Sequence, residues 1–578
     1  MATSFPERIR FVDLCAGLGG FHRALQEVDA RHPQGARFEC VFASELDSTL
    51  RELYLRNFPE TRARYRQGSS RTGPTDDSER APDCLIQGDL GAFVCLETDS
   101  IRRTADGVPL LPEHELLVAG FPCQPFSKSG YQKGFDDTRG TVFHMIAVVL
   151  KEHRPDLVLL ENVGNFERHD GGNTWRRVRE VLESLGYIVR ATAHKGGAAS
   201  GGRGLLSPHE LGYPHHRQRF FIIAQQRDSE WPDDLNARDP FPKPVPAGGR
   251  REALAVDCLK TILRNTWRSV HPDAIVRAQV SEDRVVAIEH WNELLATLEA
   301  SDLTNGKPHW RESMPSFPIW GYELDPFQWY PIDRNPSDYV GSLDELRATR
   351  RAMLDDAIEM AARKGVKLKN FPPNGSRSYL RRLNLTDADL AHWISGWPTY
   401  AGARKKWPRW KIRFIEQNRA WALRLWTELD AQFVRRWLDE LVVLAPAPSN
   451  QKLEWNAKGE PLDLWDHILQ FRPSGIRVKR FGHVPALVAM TSTQVPIVPR
   501  VDPDEPPTGG APTARGRHLL QEEALQLQGF PSTWALPERR DAAFKALGNA
   551  VHCDLVADLV DSWLFGVGDT PSAPSLDL

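Results

Sequence analysis

The feature that most constrains the fold of this chain is a series of short apolar segments separated by segments with helical spacing. Four of these apolar segments are clear, at residues 10–15, 38–43, 157–160 and 220–224. Short apolar runs predict buried strands, and strands that alternate with helices predict a mostly parallel sheet with helices on both faces. We therefore expect an α/β fold in the first part of the chain.

The alternation stops after residue 227, which predicts a change of domain. A Pro-rich segment at 239–246 is typical of an extended linker, and a second Pro/Gly-rich linker runs from 501 to 516. A chain of 578 residues is also too long for one ordinary core. We expect one domain over residues 1–227 that is completed by 517–578, a second domain over 228–516, and a disordered tail from about residue 566.

Composition excludes several classes of protein. A hydrophobic content of 41% and a charged content of 26% are typical of a soluble globular protein, and no apolar run is long enough to span a bilayer. Seven scattered cysteines predict neither a disulfide framework nor a zinc ribbon, so we expect a cytoplasmic protein. With a net charge of -3, any nucleic-acid site must be a local basic surface.

Three predicted strand ends carry groups suited to a nucleoside-containing cofactor. A glycine turn at 16–20 follows the first strand, Glu45 ends the second, and Asp89 follows a later one. Glycines allow a ligand to approach the backbone closely, and an acidic residue after the second strand accepts hydrogen bonds from ribose hydroxyls. The turn alone is equally compatible with a purely structural role.

Cys123 stands at the carboxyl end of another predicted strand, 115–119. In an open α/β sheet, chemistry takes place at this edge, so the thiol is a candidate nucleophile. The alternative is a small buried hydrophobic residue, which is what most cysteines are. The polar, Gly-containing loop that follows, 124–140, fits a mobile lid.

Glu161 ends the predicted strand 157–160, where a partly desolvated carboxyl group suits a general acid or hydrogen-bond donor. The alternative is that Asn162 caps a helix and Glu161 is solvated. Arg217 and Arg219 precede the strand 220–224, and their alternate spacing places them on one face, where they could bind phosphate or a base oxygen. His215 and His216 lack a third ligand, so we predict no metal site.

In order along the chain, these motifs resemble those of the DNA (cytosine-5) methyltransferases. The resemblance covers about the first 225 residues and the last 60. It implies a Rossmann-like S-adenosylmethionine-dependent methyltransferase fold, with a large inserted target-recognition domain at 228–516. The motifs that carry it are Asp13–Phe21, Ser44–Glu45, Gly88–Asp89, Gly120–Ser127, Asp137–Gly140, Glu161–Val163, Arg217–Arg219, Arg517–Leu520, Glu523, Leu527–Pro531 and Gly548–Val551.

The resemblance implies a role for each matching residue. Cys123 would attack carbon 6 of a cytosine flipped out of the duplex, Glu161 would hold the ring nitrogen and amino group, and Arg219 with Arg217 would support the base. Ser129 and Gln132 would fill the vacated space. The cofactor-binding positions that it implies are Gly17, Leu18, Gly20, Glu45, Asp89, Pro122, Asn549 and Val551, and further DNA-contacting positions are Gln124, Arg477, Lys479 and Arg480.

Three positions depart from the family pattern. Cys15 replaces an aromatic residue that usually lies against the adenine of the cofactor, and His215 replaces a glutamine. Ala486-Leu487 stands where a Thr-Leu pair often occurs. A segment of interleaved cations and indoles at 404–413 fits phosphate contacts and base stacking, or a solvated helix face over buried tryptophans.

The function implied is methylation of a cytosine within a short double-stranded DNA sequence by a bacterial modification enzyme. We expect a cytoplasmic monomer that reaches the nucleoid through DNA, uses S-adenosylmethionine, contacts no membrane and works beside a separate restriction endonuclease. The alternatives are an RNA cytosine-5 methyltransferase and a catalytically inactive DNA-binding relative. The large middle segment favours duplex DNA, because reading base edges needs a groove-reading domain.

Overall fold

The computed structural model of the protein describes most of the chain. The described residues are 6–35, 37–60, 86–122, 142–192, 204–229, 231, 235, 239–305, 309–324, 409–445, 447–487, 494–502 and 515–566. Among the predicted site residues, Cys123, Gln124, Ser129 and Gln132 lie outside this part. So do residues 404–408 of the segment 404–413 and the tail beyond residue 566.

The strands are numbered in chain order. They are β1 (Arg8–Leu14), β2 (Arg37–Ser44), β3 (Ile86–Gln87), β4 (Val94–Cys95), β5 (Ser100–Ile101), β6 (Leu116–Gly120), β7 (Leu157–Val163), β8 (Tyr187–Ala191), β9 (His215–His216), β10 (Arg219–Gln226), β11 (Ile319–Trp320), β12 (Lys452–Asn456), β13 (Ile468–Arg472), β14 (Gly475–Lys479), β15 (Val484–Pro485), β16 (Ile497–Pro499) and β17 (Gly516–His518).

The α-helices are numbered in the same way. They are α1 (Gly20–Arg31), α2 (Ser48–Asn57), α3 (Val142–His153), α4 (Asn173–Ser184), α5 (Gly249–Ser269), α6 (Pro272–Arg277), α7 (Glu282–Asn305), α8 (His309–Ser313), α9 (Arg409–Glu428), α10 (Ala431–Leu444), α11 (Gln521–Gln526), α12 (Arg540–Asn549) and α13 (Cys553–Val560). None of the described helices is both long enough and apolar enough to cross a membrane.

The chain divides into two compact units. Unit 1 comprises Met1–Thr266, Pro485–Ser492 and Gln521–Leu578, and unit 2 comprises Trp267–Val484 and Thr493–Leu520. The chain therefore leaves unit 1 and returns to it, as an insertion would. The functional boundaries after residues 227 and 516 stay predictions.

Unit 1 is built on a seven-stranded sheet with the order β3-β2-β1-β6-β7-β10-β8. The first five strands are parallel, and β10 runs antiparallel to both of its neighbours. The interior strands β6 and β7 are buried along almost their whole length, as expected for parallel strands covered on both faces. This is the predicted Rossmann-like α/β architecture, and the fold class is confirmed.

The turn between β1 and α1 is shaped by its glycines. Gly17 and Gly19 have φ values of 56° and 81°, in the left-handed region. A side chain on Gly19 would overlap the ring of Phe58, and one on Gly20 would bring its Cβ within 2.6 Å of a methyl carbon of Val551. The sequence needs glycine at both positions, because the backbone of the turn lies against these two side chains.

The C-terminal segment completes the layer that contains α1. All eight residues of α13 are buried. Arg31, at the end of α1, forms ion pairs of 2.9 Å with Asp558 and 2.7 Å with Asp561. A buried carboxylate needs such a partner, so this pairing fixes the end of the chain against the first helix.

Unit 2 contains a six-stranded sheet with the order β11-β12-β14-β13-β16-β17. Its core is rich in tryptophan. The indole Nε1 of Trp291 in α7 donates to the carbonyl of Asn450 at 2.8 Å, and that of Trp437 in α10 donates to the carbonyl of His290 at 2.7 Å. Tryptophan combines a large apolar surface with a polar atom that needs a partner, and both requirements are met here.

Candidate active site

The parallel strands bring most of the predicted site residues of unit 1 to one edge of the sheet. The β1–β2 register pairs Leu14 with Ser44, and the β6–β7 register pairs Gly120 with Glu161. Glu45, the glycine turn and Pro122 therefore follow neighbouring strand ends, and Glu161 lies two residues before the end of the next strand, β7. This is the edge at which open α/β sheets bind ligands.

Glu45 supports the glycine turn directly. Its Oε2 accepts a hydrogen bond of 2.8 Å from the backbone N–H of Gly17, and its Oε1 accepts one of 2.9 Å from Asp47. The N-cap position of α1 is Gly19, which has no side chain to cap the helix, and the positive end of the helix dipole lies at this turn. The carboxylate and the helix end together form a cradle for a polar, nucleoside-like molecule.

The carboxyl group of Asp13 and the thiol of Cys15 lie beside Glu45. Asp13 is fully buried, and burial together with the charge of Glu45 raises its pKa well above the ordinary value. Burial, followed by the charge of Glu45, raises the pKa of the Cys15 thiol to about 12. A protonated thiol is a poor nucleophile, so Cys15 is suited to packing rather than to chemistry.

Leu46 is a residue that the sequence analysis missed. It follows Glu45 directly, and 73% of its surface is exposed. Single exposed apolar side chains are common, but the place of Leu46 directly after a predicted ribose-binding carboxylate makes it a candidate contact for a ligand. The sequence feature that could have identified it is an apolar residue directly after Glu45.

The remaining cofactor-site predictions differ in exposure. Asn549 and Pro122 are exposed, whereas Leu18 is buried and its carbonyl accepts a hydrogen bond of 3.2 Å from the indole of Trp534. The carboxylate of Asp89 accepts a hydrogen bond of 2.9 Å from Gly91 and so shapes the turn that follows β3. Val551 is buried against Gly20.

Glu161 forms an ion pair with Arg219. The distance from Arg219 Nε to Glu161 Oε1 is 2.8 Å, and only 16% and 9% of the two side chains are exposed. The two residues come together because β10 pairs antiparallel with β7, with Arg219 opposite Val163. A mostly buried pair of this kind is strongly held, because separating it would leave an uncompensated charge away from water.

The other oxygen of Glu161 faces the strand that leads to Cys123. A Cβ placed on Gly120 would lie 3.7 Å from Glu161 Oε2, 3.8 Å from the ring of Phe21 and 3.9 Å from a methyl carbon of Val551. Gly120 thus lies where the Glu161 carboxylate, helix α1 and the C-terminal turn meet. The site residues of unit 1 form one continuous region around it.

The position of Asn162 excludes the alternative that this residue caps a helix and that Glu161 is solvated. It lies within β7, it is buried, and its side-chain amide donates to the carbonyl of Phe121 at 2.9 Å. The amide therefore holds the segment that enters Cys123. Sequence reasoning missed this role, because it depends on a partner in another strand.

Arg217 contacts different groups from Arg219, although the alternate spacing predicted one shared face. It is fully buried, and its Nη2 donates to the carbonyls of Gly548 at 3.0 Å and Ala550 at 2.7 Å. Burial, and next the charge of Arg219, lowers the pKa of Arg217, while the charge of Glu161 raises it, so Arg217 lies near that ion pair although it precedes β10. Contact of Arg217 with a base stays a prediction, and its geometry instead indicates support of the α12–α13 turn.

Two buried histidines surround Arg217. The ring centroids of His215 and His552 lie 5.8 Å apart. Burial, and to a lesser extent Arg217, lowers the pKa of His552 to about 3, and burial lowers the pKa of His215 well below its ordinary value. His552 Nδ1 accepts a hydrogen bond of 3.3 Å from Leu555 and so caps α13, which requires an unprotonated nitrogen.

The predicted DNA-contacting residues of unit 2 lie at the end of the β13–β14 hairpin. Three cations, Arg472, Arg477 and Lys479, share one face of the sheet with Glu454. Arg477 bonds to Glu454 at 3.1 Å and Arg472 lies 3.5 Å from it, so one carboxylate serves two arginines. Burial, then Arg477, lowers the pKa of Lys479.

Two further features of unit 2 bear on the predictions. Arg480 donates to the carbonyl of Lys458 and lies 3.6 Å from Glu460.

Within the described residues, His290, Glu293 and Glu440 have the spacing of metal ligands. Arg436, however, forms ion pairs with both carboxylates. That pairing argues against a metal site there.

Comparison with known proteins gives a family match over most of the chain. The sequence model of the family described as C-5 cytosine-specific DNA methylase matches residues 9–88, 93–292 and 454–563, which is more than half of the chain. The type II methyltransferase M.AluI of Cellulosimicrobium cellulans is 28% identical over 578 residues, covering 95% of this chain and 91% of that protein.

Other relatives match more locally. The type II methyltransferase M.HhaI of Haemophilus parahaemolyticus is 34% identical over 237 residues, which are 41% of this chain and 53% of that protein. Among solved structures, the Dnmt2 methyltransferase of S. pombe aligns with 97% of this chain and all of its own, at 13% identity and a TM-score of 0.37.

The buried His552 predicts a stability that depends on pH. Its pKa is about 3 in the folded chain and about 6.5 when exposed, so the unfolded chain takes up a proton first. This contribution to stability is complete about one unit above pH 6.5 and falls as the pH drops, by about 2 kcal/mol between pH 7.5 and pH 5. His552→Asn, which keeps a capping side chain, should remove this part of the dependence.

The measurement is urea unfolding of wild type and His552→Asn at pH 7.5 and pH 5, followed by fluorescence. The difference between the two proteins isolates His552, because all other titrating groups are common to both. Equal loss of stability in both proteins on acidification would show that His552 is not held neutral by the fold.

Proposed function

The chain belongs to the family of C-5 cytosine-specific DNA methylases and is a DNA (cytosine-5-)-methyltransferase. We propose that its methyl donor is S-adenosylmethionine and that its target is one cytosine within a specific short duplex sequence. The observation that carries this proposal is the Glu161–Arg219 ion pair beside Gly120, at the end of the strand that leads to Cys123. A carboxylate held in this position suits a planar base presented at the edge of the sheet.

We propose that the target base leaves the duplex, because carbon 6 of a stacked cytosine is unreachable. The Cys123 thiolate then bonds to carbon 6. Glu161 would share a proton with the ring nitrogen and accept a hydrogen bond from the amino group, so the ring takes up the electron pair of the thiolate as the ring nitrogen gains the proton. Arg219 engages Oε1 of Glu161 and so leaves Oε2 for the base. Carbon 5 would then take the methyl group, with S-adenosylhomocysteine as the leaving group. A water molecule would remove the carbon 5 proton, the electron pair of that C–H bond would restore the ring double bond, and Cys123 would depart as a thiolate while the ring nitrogen returns its proton to Glu161.

The residues at the sheet edge fit S-adenosylmethionine, which supplies an electrophilic methyl group when bound. Glu45 suits the ribose hydroxyls, the uncapped first turn of α1 suits the carboxylate, and exposed Asn549 lies on the turn beside Val551. Leu46 suits the flat apolar face of the adenine. It would take over the contact that the family's aromatic residue, replaced here by Cys15, usually makes. Asp89 follows β3 and Pro122 follows β6, two parallel strands of the same sheet.

For DNA, we propose that the three-cation face of unit 2 and Arg480 contact phosphates or base edges. One carboxylate among Arg472, Arg477 and Lys479 leaves excess positive charge on a partly buried surface, and a polyanion would neutralise it. Gln124, Ser129 and Gln132 are proposed to contact the DNA around the flipped base.

The cellular setting is also a proposal. Because the relatives named above are type II methyltransferases, we propose that the protein modifies DNA in the bacterial cytoplasm, beside a separate endonuclease of the same specificity. We further propose that it acts as a monomer, because a single chain supplies all residues of the site.

The direct assay uses tritiated S-adenosylmethionine with unmodified plasmid DNA and, separately, with total transfer RNA. We expect label in the plasmid alone, and none with Cys123→Ser, whose DNA affinity should stay near that of wild type. Label in the RNA, or in neither substrate, would contradict the proposal and favour the RNA-methylating or inactive alternative.

Leu46 provides a test of the cofactor site. Leu46→Ser removes apolar surface that the adenine would cover, and it should weaken S-adenosylmethionine binding by roughly 5- to 20-fold. The control is Val108→Ser. Val108 is also exposed, at 51%, but it precedes β6, whereas the predicted site residue Pro122 follows that strand. Calorimetric titration measures both, and equal affinities of the two variants would remove Leu46 from the site.

A further inference from the structure

Arg217 has an unusual environment for an arginine. It is 1% exposed, and no carboxylate bonds to it among the described residues. Its Nε and Nη1 atoms are buried and make no hydrogen bond within the part of the chain that the structure describes. Glu161 acts on the charge of Arg217 without bonding to it. A buried cation with no bonded counter-ion is costly, so the contacts that Nη2 makes help to offset that cost.

Those contacts cap the end of α12. The last carbonyls of a helix lack partners within the helix and carry the negative end of its dipole. Arg217 binds the carbonyls of Gly548 and Ala550, and the side-chain amide of Gln528 binds that of Leu547 at 2.5 Å. Arg217 therefore supplies a positive charge and two hydrogen bonds to a helix terminus 331 positions away in the chain.

The turn held in this way carries two predicted cofactor contacts. Asn549 lies between the two bonded carbonyls with its side chain exposed, and Val551 packs against Gly20 at the start of α1. Displacement of the turn would therefore move both residues. It would also pull Arg217, whose charge cannot relax into water.

Arg217 is separated from Arg219 by one residue. The backbone of Arg219 is fixed by two hydrogen bonds with Leu206, of 2.8 and 3.1 Å, and its side chain is fixed by Glu161. The backbone N–H of Arg217 also donates to Ser207 at 3.2 Å. Only one residue separates the two arginines, and both are anchored to the segment Leu206–Ser207, so a shift of that segment or of either arginine acts on both.

We propose that Arg217 is a positioning residue that couples the cofactor turn to the Glu161–Arg219 pair, so that cofactor binding and assembly of the base pocket reinforce each other. The inference deepens the proposed function and rests on it. Such coupling is reciprocal: whatever loosens the base pocket weakens cofactor binding, and the reverse.

The test is a double-mutant cycle with S-adenosylhomocysteine affinity, measured by calorimetry, as the readout. Arg217→Met should weaken binding on the order of 10-fold, within the usual range of coupling between sites. Glu161→Gln should weaken it about 5-fold in the wild-type background, but by less than about 2-fold when Arg217 is already Met, because the connection is then broken. Additive effects in the cycle would overturn the proposal.

Two further variants separate coupling from damage to the fold. Arg217→Lys keeps the cation and should retain part of the affinity, and it replaces Arg217→Met in the cycle if that variant does not fold. Arg190→Met removes an arginine that donates to the carbonyl of Leu235 at 2.9 Å, in edge strand β8 of the same unit, and should leave the affinity within about 2-fold. An equal loss in Arg190→Met would contradict the proposal.

The outcome also distinguishes the two levels of inference. If wild type neither binds the cofactor nor methylates DNA, the proposed function fails. If wild type does both while the cycle is additive, only the coupling fails.

Discussion

The register between β6 and β7 is the constraint on which the site depends. It places Gly120 opposite Glu161, so the chain that enters Cys123 leaves the sheet beside the carboxylate. The antiparallel pairing of β10 with β7 then brings Arg219 to the same place. A shift of one residue in either register would turn these side chains to the other face, so the geometry of the site depends on both registers.

The C-terminal segment completes this region from a distant part of the sequence. Its helix α13 is held against α1 by Arg31, and its α12–α13 turn is held by Arg217. In both places an arginine binds buried oxygen atoms. The segments held in this way lie next to elements that carry the predicted cofactor-binding residues. The insertion of unit 2 between the two parts of unit 1 is compatible with this arrangement, because the contacts form after the chain has returned.

The sequence predicted the parts of the site that depend on local pattern. Apolar segments with polar residues at their ends located Glu45 and Glu161 correctly at strand ends, because parallel strands place those ends together. It did not predict the partners of Arg217 or Asn162, since these depend on elements far away in the chain. The six-stranded sheet of unit 2 was also missed, because several of its strands have only two or three residues. Short strands leave no clear alternation in the sequence.

The most direct test of the account is covalent trapping on a random-sequence duplex in which every cytosine is replaced by 5-fluorocytosine. The fluorine cannot leave as a proton does, so an adduct formed through Cys123 is retained after methyl transfer. With S-adenosylmethionine present, wild type should give a complex that survives denaturation, and Cys123→Ser should give none. A complex with Cys123→Ser, or none with folded wild type that binds the cofactor, would contradict the account.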